Sequence, residues 1–315
     1  MYEIKVSVIC TAYNHSRYIK QCIESILMQK TNFKYELIIH DDASSDGTTE
    51  IVKMYADKYP AIIKPIFEEK NQFSKHDGSV KRICDEQMQG QYIALCEGDD
   101  YWIDPMKLQK QIDFMEKHPE CSLCGTNGLV LCDDCYDKPK YFNNIISSRF
   151  LEPKEIIGNW CIPTASIIYR RQVGENFPEW TKNIVHGDLT LQLISLQFGK
   201  IYCLADLTCV YRRICGGSIL NQSFIGRQAF LLTKLKYLYS EYSKTYNDAS
   251  LEEYISVKIK NIEHDIAYYQ LIEAHNVWKY PFRILITEII LKIKKNIMRV
   301  VKEKFYKTFF IYYSK

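Results

Sequence analysis

Over its first 120 residues the chain alternates short apolar, β-rich runs with amphipathic stretches, and this order constrains the fold more than any other feature. Ile4 to Cys10 reads as a first strand. Ser16 to Gln29 follows with helical spacing, which puts Tyr18, Ile19, Cys22, Ile23, Ile26 and Leu27 on one side. Tyr35 to His40 is predicted as a strand, Thr49 to Tyr59 as a helix and Ile62 to Phe67 as a strand. Gly78 to Met88 reads as a helix and Tyr92 to Cys96 as a buried strand. Pro105 opens a further helix to Lys117, since proline is at home in a first helical turn. A β-α-β-α order implies an α/β architecture with a mainly parallel sheet and helices on both faces. Ligands of such sheets bind beyond the carboxyl ends of the strands, so the chemistry is sought in the loops that follow them.

Beyond this region the pattern is mixed. Strands are expected near Leu123 to Leu131, Ser166 to Tyr169 and Thr208 to Tyr211, with a helix from Asp188 to Phe198. After Ser223 the pattern is helical almost to the end. With 315 residues, nearly half of them apolar, the chain can bury a large core. A net charge of +3 gives no strongly basic face and argues against nucleic-acid binding.

Three loops that follow strands are acidic or polar: Thr11-Ala12-Tyr13-Asn14, the run Asp41 to Thr48, and Glu97-Gly98-Asp99-Asp100. Carboxylates gathered at one sheet edge repel each other unless a cation neutralises them. A hard divalent ion with oxygen ligands and substrate phosphates does so. Asp, Ser and Gly also favour turns, and Asp41 to Thr48 taken alone reads equally as turn residues, with Ser44 to Thr48 as a helix cap.

The three loops, in this order and spacing, resemble family 2 glycosyltransferases of the GT-A fold. The run Tyr101-Trp102-Ile103-Asp104-Pro105 with Lys107-Leu108 adds to the likeness, which covers roughly residues 4 to 220. The resemblance implies a GT-A domain over residues 1–220 and a helical C-terminal region over 221–315. It implies that Thr11 and Tyr13 line the pocket for the nucleotide base and that Asp41 hydrogen-bonds it, with uracil as the base. Asp100 would bind Mn²⁺ or Mg²⁺ and Asp99 would contact the ribose or the metal. Glu97 stands where many members have Asp and is a weaker ligand. Lys81 lies where some members put a basic residue near the donor, though a helix could equally turn it to solvent. The ion would stabilise the departing diphosphate as a Lewis acid.

His186-Gly187-Asp188 resembles the element that supplies the general base. Asp188 would take the proton of the acceptor hydroxyl, and in-line attack opposite the leaving group would invert the anomeric centre. Asp188 also suits a helix N-terminus. Tyr211-Arg212-Arg213-Ile214 resembles a Tyr-Arg-x-His loop near the diphosphate. Ile214 replaces the histidine, leaving Arg212 or Arg213 to meet the phosphates.

Twelve cysteines and no secretory signal lead to an expectation of reduced thiols in a cytoplasm. Cys121-x-x-Cys124 and Cys132-x-x-Cys135 have the look of a zinc site. Their short separation, and the strand character of Gly125 to Leu131, favour core thiols instead. No stretch reaches the length of a membrane-spanning helix. Residues 276 to 315 nevertheless carry ten Lys and Arg against two Glu, interleaved with Ile284, Leu285, Ile289, Ile290, Ile293, Ile297, Val300 and Val301 at helical spacing. A basic amphipathic tail fits peripheral contact with an anionic membrane surface, which suits a lipid-linked saccharide acceptor. Packing on its own domain or on a second subunit is the plainer alternative. The expectation is thus a bacterial enzyme at the inner face of the cell membrane, taking a nucleotide-sugar donor that the resemblance implies is UDP-linked, and building cell-surface polysaccharide or lipopolysaccharide. A nucleotidyltransferase is disfavoured because Thr11 to Tyr18 lacks a glycine-rich basic loop. A non-catalytic scaffold on a degenerate transferase fold is the remaining alternative. Oligomeric state is left open.

Overall fold

In chain order the computed structural model runs β1 (Val6–Ala12), α1 (Ile19–Leu27), β2 (Tyr35–Asp41), α2 (Thr48–Lys58), β3 (Ile63–Phe67), α3 (Ser79–Gln87), β4 (Tyr92–Leu95), β5 (Tyr101–Trp102), α4 (Lys107–Lys117) and β6 (Cys121–Cys132). Then come β7 (Lys140–Tyr141), β8 (Arg149–Phe150), α5 (Pro153–Gly158), β9 (Ile168–Arg170), α6 (Arg171–Glu175), α7 (Gly187–Ser195), β10 (Lys200–Arg213), α8 (Phe224–Tyr246) and α9 (Ala249–Ala274). Short 3-10 turns at Phe73–Lys75, Thr164–Ser166 and Glu179–Asn183 link some of them. The structure describes residues 3–132, 138–158, 160–213 and 224–274. The loop at Ile214 and the basic tail lie outside the described residues.

A single sheet runs in the order β3-β2-β1-β4-β9-β6-β10-β5, with β7 on β6 and β8 on β10. Its first four strands are parallel, as the β-α-β-α order requires. Past β4 the sheet is mixed rather than mainly parallel. β9 runs antiparallel to both β4 and β6, while β6 and β10 are parallel. The reason is topological. β9 reaches its slot between β4 and β6 through a long excursion, not through a crossover helix, so nothing forces it to point the same way.

Strict alternation sorts the strand side chains between two cores. Val6, Val8, Cys10 and Ala12 of β1, with Leu37 and Ile39 of β2, face the layer made by α1, α2 and α4. Ile9 and Ile38 face the layer made by α3 and α5 to α9. In α1, Ile19, Cys22, Ile23 and Ile26 are buried at the spacing of one helical face. The helix begins at Ile19, not Ser16, because the Ser16 N–H is taken by Asp46 and the His15 carbonyl accepts the N–H groups of Tyr18 and Ile19. β10 is much longer than the expected Thr208 to Tyr211. Register shifts between Leu204 and Cys209 break its alternation, which hides the strand in the sequence.

The long helices α8 and α9 are part of the second core. Tyr239 and Tyr242 are buried, and the Tyr239 hydroxyl donates to the Ile157 carbonyl at 2.8 Å. Among the described residues no helix is long and apolar enough to cross a membrane.

Candidate active site

The carboxyl ends of β1, β2 and β4 lie side by side, so the three loops singled out in the sequence meet at one edge of the sheet. The first two are knitted together. The Asn14 N–H donates to Ser44 Oγ at 2.9 Å, and the Ser45 N–H donates to Asn14 Oδ1 at 2.9 Å. The His15 N–H donates to Thr48 Oγ1 at 2.8 Å and the Ser16 N–H to Asp46 Oδ2 at 2.9 Å. Burial opposes ionisation of Asp46, but the hydrogen bonds from Thr48 and Ser16 outweigh it and hold its pKa at about 2. Much of the Asp41 to Thr48 motif therefore builds the loop itself.

Asp41 sits at the end of β2, almost fully buried. Ser44 N–H donates to its Oδ1 at 3.2 Å, and the Thr49 hydroxyl donates to its Oδ2. Neighbouring Asp42 draws in the next segment by accepting the N–H groups of Gln72, at 2.6 Å, and Phe73, at 3.0 Å. Thr11 is half-buried and its carbonyl accepts the Gly98 N–H at 2.9 Å; Tyr13 is exposed at the mouth.

The third loop is the acidic floor. Asp100 is completely buried. Its Oδ1 accepts the Arg212 N–H at 2.8 Å, and its Oδ2 has no hydrogen-bond partner. Burial, then the charges of Asp99 and Glu97, push the Asp100 carboxyl well above the usual carboxylate range. Glu97 still reaches solvent at the cleft mouth, yet the protein crowded around it and the charges of Asp99 and Asp188 push it up to about 8. The influence of Asp188 on Glu97 brings the fourth expected residue to the same cleft. Asp188 lies in the first turn of α7, where its Oδ1 accepts the Leu189 N–H at 2.8 Å and its Oδ2 faces Thr164 Oγ1 at 3.4 Å. Burial raises its pKa too. Such a crowd of carboxylates with a buried unpaired oxygen is stabilised by a cation. Among the described residues no three His, Cys, Asp or Glu side chains form a metal site by themselves. A cation here needs oxygens from its ligand as well.

Arg212 is turned inward. Its guanidinium donates to the Asp99 carbonyl at 2.5 Å and to Gln21 Oε1, and it lies over the rings of Tyr18 and Tyr101 at 5.0 and 4.5 Å. It clamps the acidic loop to α1. Lys81 is engaged away from that loop, with Asp85, the Gly174 carbonyl at 2.8 Å and the Phe177 ring. Sequence reasoning did not single out His15, and it named Lys107 only as part of the motif after the acidic loop, with no role in the site. The His15 Nδ1 is buried without a partner, against the Gly98 backbone. Lys107 is fully buried under Trp102, donates to Gln111 Oε1 at 2.8 Å, and is pulled down to about 8 by burial. Its place two residues after Pro105 was the available signal. Cys121 and Cys124 are free thiols in the first core, and burial raises the pKa of both. Cys135 lies outside the described residues.

A parallel half-sheet that delivers acidic loops to one edge, continued by a mixed half-sheet, is the GT-A glycosyltransferase fold. The chain belongs to glycosyl transferase family 2, whose family model matches residues 7–176. It is 33% identical over 229 residues to an uncharacterized protein of Mycobacterium tuberculosis, a match over 73% of this chain and 64% of that protein. The chain thus spans less than two thirds of that relative's length. It is 36% identical over 226 residues to the UDP-Glc:alpha-D-GlcNAc-diphosphoundecaprenol beta-1,3-glucosyltransferase of Escherichia coli, covering 70% of this chain and 81% of that one. A solved structure of the mannosyltransferase from Pyrobaculum calidifontis in complex with GDP-Man and Mn²⁺ matches with a TM-score of 0.60. It covers 93% of this chain and 81% of that chain at 14% identity, a likeness of fold.

Proposed function

We propose that the chain is an inverting, metal-dependent glycosyltransferase that moves a sugar from a UDP-sugar to a saccharide acceptor in cell-surface polysaccharide or lipopolysaccharide synthesis. The observation that carries this reading is the completely buried Asp100, held at Oδ1 by the Arg212 N–H at 2.8 Å and left without a partner at Oδ2, on the loop that also carries Glu97 and Asp99. Asp100, with its free buried oxygen, and Asp99 would hold Mn²⁺ or Mg²⁺ together with the donor diphosphate. The ion's contribution is to neutralise the charge that grows on the leaving diphosphate.

The residues of the chain do the rest. Thr11, Tyr13 and Asp41 sit where the base and ribose would lie, across β1 and β2. Arg212 fixes the backbone of Asp99 and Asp100 so that the two carboxylates keep their positions. Asp188 takes the proton of the attacking hydroxyl while the new C–O bond forms and the bond to the diphosphate breaks. Its raised pKa places it nearer neutrality, where a base is most effective. The attack and the departure lie on opposite faces of the anomeric carbon, so the configuration inverts.

The Escherichia coli relative is named for a UDP-Glc donor and a diphosphoundecaprenol-linked acceptor, and the Pyrobaculum calidifontis structure for Mn²⁺; both support this reading. A lipid-linked acceptor fits the basic, amphipathic tail of residues 276–315, which would rest on the inner face of the membrane. The test is a screen of the purified chain against UDP-, GDP-, CMP- and dTDP-sugars with Mn²⁺, scoring nucleotide release and nucleotide binding with and without EDTA. Metal-dependent binding and release with a UDP-sugar is expected, and its loss in Asp100→Asn. No metal-dependent binding of any nucleotide would sink the catalytic reading in favour of the scaffold.

A further inference from the structure

Beside the acidic floor lies a cluster of three rings that the reaction outlined above leaves unused. Phe142 and Trp160 stand 5.0 Å apart at 86°, Trp160 and Tyr211 5.5 Å apart at 81°, and Phe142 and Tyr211 5.9 Å apart at 85°. Each ring is edge-on to the other two, an arrangement aromatic quadrupoles favour. The backbone holds them firmly. Phe142 N–H donates to the Gly128 carbonyl at 2.8 Å, and Asn143 Nδ2 donates to the Cys161 carbonyl at 2.8 Å. Trp160 nevertheless stays 42% exposed, a large fraction for a ring so well supported.

The position of the cluster gives it meaning. Tyr211 precedes Arg212, whose N–H holds Asp100, and burial, then the charges of Asp100, Glu97 and Asp99, raise the pKa of the Tyr211 hydroxyl, so Tyr211 joins the cluster to the neighbourhood of the acidic loop. In sheet order they lie on the β6 and β10 side of β4, away from the β1 and β2 loops. Trp160 is four residues from Thr164, which faces Asp188 at 3.4 Å. The rings thus belong to the β6 and β10 side of the sheet, away from the loops that suit a nucleotide, and the segment that carries Trp160 runs on to the partner of Asp188. A pyranose has an apolar C–H face that an aromatic ring covers well, and a ring already fixed in place loses little freedom on binding.

We propose that Phe142, Trp160 and Tyr211 form the platform on which the acceptor sugar lies, its hydroxyl turned to Asp188. This rests on the transferase reading above and assigns the acceptor subsite within it. The test uses the full chain labelled with 5-fluorotryptophan, in the presence of UDP and Mn²⁺. Its four tryptophans give separable fluorine signals, and Trp160→Phe identifies the one of interest. Methyl glycosides of glucose, galactose, mannose and N-acetylglucosamine are titrated to about 50 mM, the weak range expected of single sugars. At least one glycoside should shift the Trp160 signal and leave that of buried Trp102 in place. Phe142→Ala should weaken that glycoside about tenfold, read on the Trp160 signal, and in Trp160→Ala no remaining tryptophan signal should respond to it; both variants should leave UDP·Mn²⁺ affinity unchanged. The Trp102 signal of each variant reports whether its fold is intact. A Trp160 signal that no glycoside moves, or a Phe142→Ala variant that keeps full glycoside affinity, would overturn the platform. Failure of UDP·Mn²⁺ to bind would instead sink the transferase reading, and the response of Trp160 to glycoside alone would still decide the platform.

Discussion

At the scale of single residues, the site is a store of like charge. Burial and neighbouring carboxylates raise the pKa of Glu97, Asp100 and Asp188. Between the ordinary 4.5 of a glutamate and about 8, the folded chain holds a proton at Glu97 that the unfolded chain has released. Stability of the metal-free protein therefore falls as pH rises through that window. Thermal melts from pH 5.5 to 8.5 should show the fall, and Glu97→Gln or Asp100→Asn should flatten it; a melting temperature indifferent to pH would refute the charge argument. The same protons compete with a cation. UDP·Mn²⁺ affinity should climb with pH up to about 8, by at most roughly tenfold per unit for each proton displaced. The proposed role of Asp188 as general base is tested separately. Asp188→Asn should keep nucleotide affinity and lower the turnover of transfer by about 10² to 10⁴. Equal losses in binding and turnover would instead mark Asp188 as structural.

At the scale of elements, the loops are tight. A Cβ on Gly98 would stand 2.9 Å from His15 Nδ1, 3.0 Å from Ile19 Cδ1 and 3.1 Å from Ala12 Cβ. Gly98→Ala should therefore cost about 1 to 3 kcal/mol by denaturant melt and displace the acidic loop. A neutral result would mean that the loop yields freely. The parallel half of the sheet was legible because each strand announces itself by apolar β-rich runs and each helix by one buried face, as in α1. The acidic and polar loops were legible because they follow those strands at once. β10 was not, because its register shifts erase the alternation. Nor were Phe142 and Trp160, which lie in irregular segments where no period exists to read and meet only through tertiary packing. Arg212 was legible as chemistry but not as direction. A cation near acidic residues looks alike in sequence whether it faces a phosphate or, as here, the Asp99 carbonyl and two rings.

At the scale of the molecule, α8 and α9 close the second core, while the basic tail adds charge without a described place in it. Removal of residues 276–315 should leave UDP·Mn²⁺ binding intact and abolish co-sedimentation with vesicles containing anionic lipid. Binding to such vesicles without the tail would move the membrane contact elsewhere. The clamp from Arg212 also bears on how the molecule comes into being. The bond between its N–H and Asp100 joins residues 112 positions apart, and its guanidinium reaches back 191 positions to Gln21. On the ribosome, at about 5 to 20 residues per second, the acidic loop emerges some 6 to 22 seconds before its clamp exists. A nascent chain can thus complete its first four strands and still lack the residue that anchors Asp99 and Asp100. The clamp arrives with β10, so any product of premature termination before it carries the acidic motif without the residue that fixes it.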